Sequence, residues 1–137
     1  MLPILDKVID KTLCLENYKL NAGLVMGLAK ACEHLDSTKV NRMFFSNCGL
    51  SADDLATIIK GIGLMRDFKS LIIKKEIMNQ RCIDNMVTCL SRRVPYHLSE
   101  ISIIDCKINP TLIERLMEYV TDQSRLNKFS LVNVHHS

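Results

Sequence analysis

The chain has 137 residues, of which 47% are hydrophobic and 24% are charged, and its formal net charge is +3. This size and balance predict one folded domain with its own core and exclude a disordered chain. No segment approaches the ~20 consecutive apolar residues that span a bilayer, and charge follows the N-terminal apolar residues too soon for a secretory signal. We therefore expect an intracellular, cytoplasmic protein without a membrane span.

The first element in chain order is a short apolar stretch. Leu2, Leu5, Val8 and Ile9 fall on one side of a helix. This spacing predicts that residues 1–11 form an N-terminal helical cap or a partial repeat.

Units that combine an alternating segment with a helical one then follow. In the clearest unit, Met43 and Phe45 alternate with Arg42, Phe44 and Ser46, which indicates a strand with one buried face. The similar apolar segments begin at Val40, Phe68, Leu98 and Leu126, at steps of 28, 30 and 28 residues. Recurrence at this period is typical of repeat architectures. We place the unit starts near residues 10, 40, 68, 98 and 126, the last unit being incomplete.

After each strand the apolar spacing becomes helical. In the second unit, Ser51 is a candidate N-cap followed by Asp53 and Asp54 in the first turn, and Asn109-Pro110 is a similar helix start in the fourth unit. A strand–turn–helix unit cannot bury both of its apolar faces alone. Stacked units are therefore predicted to form an α/β fold, with a parallel sheet on one side and helices on the other. The helical apolar positions are Leu24, Leu28 and Leu35; Leu55, Ile58, Ile59 and Ile62; Ile83, Val87 and Leu90; and Leu112, Leu116 and Val120.

Two of these units resemble the leucine-rich repeat family, specifically its long ribonuclease-inhibitor type. The family pattern is matched by Val40-x-x-Met43-x-Phe45-x-x-Cys48-x-Leu50 and by Leu98-x-x-Ile101-x-Ile103-x-x-Cys106-x-Ile108. The resemblance covers residues 10–134. It implies a solenoid of four to five repeats in a single domain, residues 1–137, with the parallel sheet on the concave face and the helices on the convex face.

The family's Asn or Cys position departs from the pattern in three units. It holds Tyr18 in the first unit, Glu76 in the third and Val134 in the last. We expect these turns to be irregular or shifted by one residue.

Side chains between the buried strand positions are predicted to form columns on the concave face. Aromatic and aliphatic groups there would make an apolar patch, and such patches mark contacts with partners. The alternative is that Phe44 belongs to a fully apolar strand, Met43-Phe44-Phe45, which is shielded by the chain's own termini or by a missing segment. The columns are Cys14, Phe44, Ile72, Ser102 and Ser130; Glu16, Ser46, Lys74, Ile104 and Val132; and Thr12, Arg42, Ser70, Glu100 and Lys128. The predicted partner-binding residues are Phe44, Ile72, Lys74, Ile104, Val132, Arg42 and Glu100.

The six cysteines are expected to be reduced and mostly buried. None lies in a C-x-x-C pair, and Cys48 and Cys106 occupy the same position of their units. No metal site is predicted.

The sequence contains no recognisable catalytic motif. The Gly61-Ile62-Gly63 segment lacks the third glycine and the lysine of phosphate-binding loops, and helix termination explains it better. We expect no enzyme, no catalytic residue, no cofactor and no small-molecule substrate.

These observations predict a non-catalytic protein-interaction module or small scaffold subunit. It would bind another protein, or the remainder of a larger chain or complex, through the concave face and the exposed edge of its last strand. Two alternatives remain. A subset of the family activates the GTPase Ran, and a basic face would contact nucleic acid through Lys74, Lys75, Arg81, Arg92 and Arg93.

Overall fold

The computed structural model describes residues 7–35, 39–91, 98–123, 126 and 128–135. Strands and helices alternate along these residues after an initial hairpin. The strands are β1 (Val8–Ile9), β2 (Thr12–Glu16), β3 (Arg42–Ser46), β4 (Ser70–Lys74), β5 (Glu100–Ile104) and β6 (Lys128–Val132). The helices are α1 (Ala22–Ala31), α2 (Ala52–Ile62), α3 (Gln80–Ser91) and α4 (Pro110–Gln123).

The six strands form one sheet in which they lie in chain order. Strands β2 to β6 are parallel, whereas β1 runs antiparallel to β2. Within the described residues, each parallel connection contains one helix, and successive helices pack against each other from α1 to α4. This architecture confirms the predicted α/β class with a parallel sheet. None of the helices in the described part of the chain is long and apolar enough to cross a membrane.

The register of the parallel strands is the predicted one. Phe44 pairs with Cys14 on one side and with Ile72 on the other, and Ile72 pairs with Ser102. The buried positions align in the same way, since Phe45 lies between Leu15 and Ile73. All three predicted columns are therefore present from β2 to β6.

The core lies between the sheet and the helices. Met43 and Phe45 are 1% and 0% exposed, and the equivalent positions of β2, β4 and β5 are buried as well. Asparagine and serine side chains begin the helices that close this core: Asn21 Oδ1 accepts the Leu24 N–H, and Ser51 Oγ accepts the Asp54 N–H. The helix start predicted at Ser51 is thus confirmed.

The N-terminal cap helix is not formed at Val8 and Ile9, which build strand β1 instead. Asp10 and Lys11 have φ angles of 51° and 64°, and Ile9 pairs with Thr12. Two consecutive residues at positive φ form the tight turn that matches the twist of a hairpin. This turn folds the chain back so that β1 pairs with the edge of β2. The other residues of the predicted helical side, Leu2 and Leu5, lie outside the described residues.

The two glycines of the Gly61-Ile62-Gly63 segment have different roles. Gly63 is the C-cap of α2, as helix termination predicts. Gly61 lies within α2, where a Cβ atom would approach the Ala29 carbonyl oxygen of α1 to 2.9 Å. Its missing side chain therefore allows the backbones of α1 and α2 to come close.

Candidate functional site

The candidate site is the sheet face opposite the helices, which we call the open face. Each strand from β2 to β6 places its first, third and fifth residues there, because side chains alternate along a strand. Several of these residues are small and polar, notably Ser46, Ser70 and Ser102. Large side chains on this face therefore stand among short neighbours.

Apolar side chains occupy the middle of the open face. Phe44 and Ile72 are paired on neighbouring strands, and both are half-buried. Ile104 pairs with Val132 in the next column, where Val132 is 45% exposed. Ile72 and Ile104 are diagonal neighbours on adjacent strands, because Ile72 pairs with Ser102 and Ile104 pairs with Lys74. The structure thus brings the four predicted apolar residues onto one face.

A shallow depression of about 380 Å³ lies over the first half of this face. Of the predicted partner-binding residues, it includes Phe44, Ile72, Arg42 and Glu100, while Lys74, Ile104 and Val132 lie outside it. Residues of β2 also line the depression. They were not among the predicted partner-binding residues, and Cys14 was predicted only as a member of a column. The full lining is Thr12, Cys14, Glu16, Arg42, Met43, Phe44, Ser70, Ile72 and Glu100.

Glu100 is held by neighbouring side chains. The Ser70 hydroxyl donates a hydrogen bond to one of its carboxylate oxygens at 2.7 Å, and the Ser102 hydroxyl donates to the other at 3.4 Å. Lys128 Nζ lies 3.3 Å from the Glu100 carboxylate. The Ser70 hydrogen bond, with help from Lys128, lowers the pKa of Glu100. Glu100 is therefore an ionised group whose charge is already balanced within the sheet.

Arg42 and Glu16 differ from Glu100 in having no such partner. Both are exposed and line the depression. Among the described residues, no acidic side chain lies within 4.0 Å of Arg42 and no basic one within 4.0 Å of Glu16. Arg42 is the first residue of β3 and Glu16 is the last of β2, so these charges mark opposite ends of the depression.

A left-handed residue follows each parallel strand, a feature that the sequence reasoning missed. The φ angles of these residues lie between 50° and 55°. In the first four of these residues, the backbone N–H donates a hydrogen bond to the carbonyl oxygen of the last residue in the next strand, at 2.8–3.1 Å. The recurrent Asn or Asp was the available signal, because these residues tolerate this conformation best after glycine. The five residues are Asn17, Asn47, Lys75, Asp105 and Asn133.

The role of Glu76 is a second feature that was not predicted from the sequence. Its side chain is buried, with 4% exposure, and its carboxylate oxygens accept the Cys48 N–H at 2.7 Å and the Leu50 N–H at 3.4 Å. Burial raises the pKa of Glu76, although these hydrogen bonds oppose the effect. The predicted irregular turn is not formed here, because the carboxylate binds the backbone of the preceding unit and the strand register continues.

Five of the six cysteines are buried, as expected, and Cys14 is exposed. No disulfide joins any of the six. Cys48 Sγ lies 3.3 Å from the Leu15 carbonyl oxygen, and Cys106 Sγ lies 3.4 Å from that of Ile73. Burial raises the pKa of Cys48 to about 11 and that of Cys32 to about 12, so these thiols stay protonated at neutral pH.

The basic residues of the nucleic-acid alternative lie on different elements. Lys74 ends β4, Lys75 occupies the following turn, and Arg81 of α3 forms an ion pair with Asp53 at 3.3 Å. Arg92 and Arg93 lie outside the described residues. Within the described ranges, no three His, Cys, Asp or Glu side chains gather as a metal site would require.

Comparison with models of known protein families gives no match for this chain, and comparison with curated proteins finds none that is similar to it.

Proposed function

We propose that this chain is a leucine-rich repeat module of the ribonuclease-inhibitor type that binds another protein, or the remainder of a larger chain or complex, without catalysing a reaction. The matches at residues 40–50 and 98–108 support the family assignment. The left-handed residue at the same place in every unit adds support, because it gives the units a common turn. In this proposal the open face is concave and the helices form the convex side.

The observation that carries the proposal is the pair Phe44 and Ile72 in the depression. Both side chains are only half-buried, whereas the residues directly before and after each of them on its strand are buried in the core. Aromatic and aliphatic groups that remain accessible at the centre of a surface are typical anchors of protein interfaces. A sheet face that contacted only water would gain nothing from accessible aromatic and aliphatic side chains.

The edge of β6 is the second part of the proposed interface. Among the described residues, β6 pairs with β5 alone. An unpaired strand edge presents N–H and C=O groups to another chain. A partner that covered this edge would also shield the half-buried Phe129 and Leu131.

The proposal is tested by affinity capture from an extract of the source cells. The wild-type chain is compared with Phe44→Ser and with Met26→Ser, since Met26 is 51% exposed on α1 and makes a matched control. We expect a specific protein to be captured by the wild type and by Met26→Ser but not by Phe44→Ser. Circular dichroism verifies that both variants are folded. Equal capture by folded Phe44→Ser contradicts the proposal.

The two alternatives stay predictions. Nucleic-acid contact through the five basic residues predicts that binding weakens steeply as salt rises, and this dependence separates it from an apolar interface. These residues are Lys74, Lys75, Arg81, Arg92 and Arg93. Activation of the GTPase Ran predicts faster hydrolysis by Ran when the chain is added.

A further inference from the structure

The charges around the depression are unevenly balanced. Glu100 is engaged by Ser70 and Lys128, whereas Arg42 has no ion-pair partner within the described part of the chain. Arg42 thus brings a free guanidinium group to the strand-start end of the depression. This group is planar and carries several N–H donors, so it pairs preferentially with carboxylates.

The spacing between Arg42 and Phe44 matches that of an extended peptide. They are alternate residues of β3, so their side chains rise on the same face, about 6.6 Å apart along the strand. An extended peptide that lies along β3 presents its own alternate side chains toward the sheet with the same spacing. A carboxylate over Arg42 therefore places the side chain two residues away over Phe44 and Ile72.

Glu16 gives the depression a direction. It lines the other end, beyond Cys14, and has no basic partner among the described side chains. A carboxylate at that end would meet a like charge, which disfavours the reversed placement of an acidic group. Within the lining of the depression, the free charges therefore favour an acidic side chain at the Arg42 end. Lys74 shares the column of Glu16 but lies outside that lining.

We propose that the depression binds an extended segment of a partner protein in which an acidic residue pairs with Arg42 and a large apolar residue, two positions away, packs on Phe44 and Ile72. The inference rests on the proposed function and specifies the chemistry of the partner. Small side chains around the two apolar residues, such as Thr12 and Ser70, leave room for such a segment.

The experiment uses a phage-displayed library of random 12-residue peptides selected against the whole chain. We expect enrichment of sequences with Asp or Glu two positions from Phe, Leu, Ile or Met. Selection against Arg42→Glu should replace the acidic residue by Lys or Arg. An enriched acidic peptide should bind Arg42→Glu about tenfold or more weakly than the wild type, because reversing the charge turns attraction into repulsion.

Arg66→Glu is the matched control, because it makes the same charge change at an exposed residue outside the sheet. It should select the same peptides as the wild type. The inference is overturned if no acidic–apolar pattern is enriched, or if Arg42→Glu selects the same peptides as the wild type. If the peptide selection fails in this way but capture from the cell extract still depends on Phe44, the inference is wrong and the proposed function stands. If capture does not depend on Phe44, the proposed function itself is wrong.

Discussion

The two ends of the sheet carry the same apolar pattern but bury it to different extents. On β2, Leu13 and Leu15 are both 0% exposed, and β1 pairs with the outer edge of the strand. On β6, the equivalent Phe129 and Leu131 are only half-buried, and the described residues provide no strand beyond them. Burial at a given repeat position therefore depends on the neighbouring unit as much as on the residue itself.

The helices show the same difference. Helix α2 packs against α1 on one flank and against α3 on the other. Its residues Leu55, Ile58 and Ile59 are therefore fully buried. In α4, Leu116 is buried, whereas Met117 is 48% exposed and Leu112 is half-buried. Among the described elements, a helix with one neighbouring helix thus leaves apolar surface that a helix with two neighbouring helices conceals.

In the comparison of the two ends, the largest expected effect comes from truncating the same residue type at each end. Leu15 and Leu131 occupy equivalent register positions through Phe45, Ile73 and Ile103. Leu15→Ala should lower the free energy of unfolding by about 3 kcal/mol, and Leu131→Ala by about 1 kcal/mol, because a cavity forms only where the site is enclosed. Urea unfolding measures both values. Equal losses would show that the two ends are equally buried in solution.

The contact between α1 and α2 allows a test of close packing at the covered end. Gly61→Ala should lower the free energy of unfolding by about 2 kcal/mol, because the new Cβ meets the Ala29 backbone of α1. Gly23→Ala, in α1, is the control. Its Cβ would meet only the Asn21 side chain at 3.4 Å, so helix propensity should give a gain of about 0.5 kcal/mol. Thermal unfolding of both variants checks the difference, and a neutral Gly61→Ala would contradict the close approach.

Glu76 links two inner units, and Val134 holds the equivalent position in the last unit. Glu76→Ala should lower the free energy of unfolding by about 1.5 kcal/mol, because the Cys48 and Leu50 N–H groups lose their buried acceptor. Val134→Ala should lower it by less than about 1 kcal/mol, because Val134 is half-buried. Denaturant unfolding compares the two variants. A larger loss at Val134 would reverse the proposed order of burial.

The same variant has a pH dependence with a definite sign. Because burial raises the pKa of Glu76, the folded chain holds this proton to higher pH than the unfolded chain does. The stability that Glu76 contributes is therefore complete below its unfolded pKa and decreases as pH rises through its folded pKa. As pH rises from the unfolded to the folded pKa of Glu76, the free energy of unfolding of the wild type should therefore approach that of Glu76→Ala. A difference that widens with pH would contradict the direction of the shift.

The smallest expected effect concerns the left-handed turn residues. Lys75 has a φ of 55°, a conformation that Asn adopts more readily. Lys75→Asn should raise the free energy of unfolding by about 0.5 kcal/mol, and Asn47→Lys should lower it by at least as much, because it also removes the Asn47–Asn17 side-chain hydrogen bond. Chemical unfolding at fixed pH measures both. A loss of stability in Lys75→Asn would contradict this explanation.

Periodicity was sufficient to predict most of the fold from the sequence. The strand alternation around Met43 and Phe45, repeated at nearly constant intervals, determined the columns that the structure contains. The hairpin of Val8–Ile9 was missed because Asp10-Lys11 lacks the usual glycine of a tight turn, and because its short apolar run also fits a helix.

The site was only partly predictable. Alternation identified Phe44, Ile72 and Arg42 as open-face residues, because that assignment needs only the strand register. The sequence pattern placed Glu76 at the Asn or Cys position of its unit but did not reveal its role, which depends on hydrogen bonds to a unit 26–28 residues earlier. The balance of charge at Glu100 likewise requires Lys128 from a neighbouring strand.

Alanine substitution at two adjacent phenylalanines tests the central claim, that the open face is an available surface and not part of the core. Phe44 and Phe45 point to opposite faces of β3, and Phe45 is 0% exposed. We expect Phe45→Ala to lower the free energy of unfolding by about 4 kcal/mol and Phe44→Ala by about 1 kcal/mol. Equal losses, measured by urea unfolding of the two variants, would contradict the account and assign Phe44 to the core.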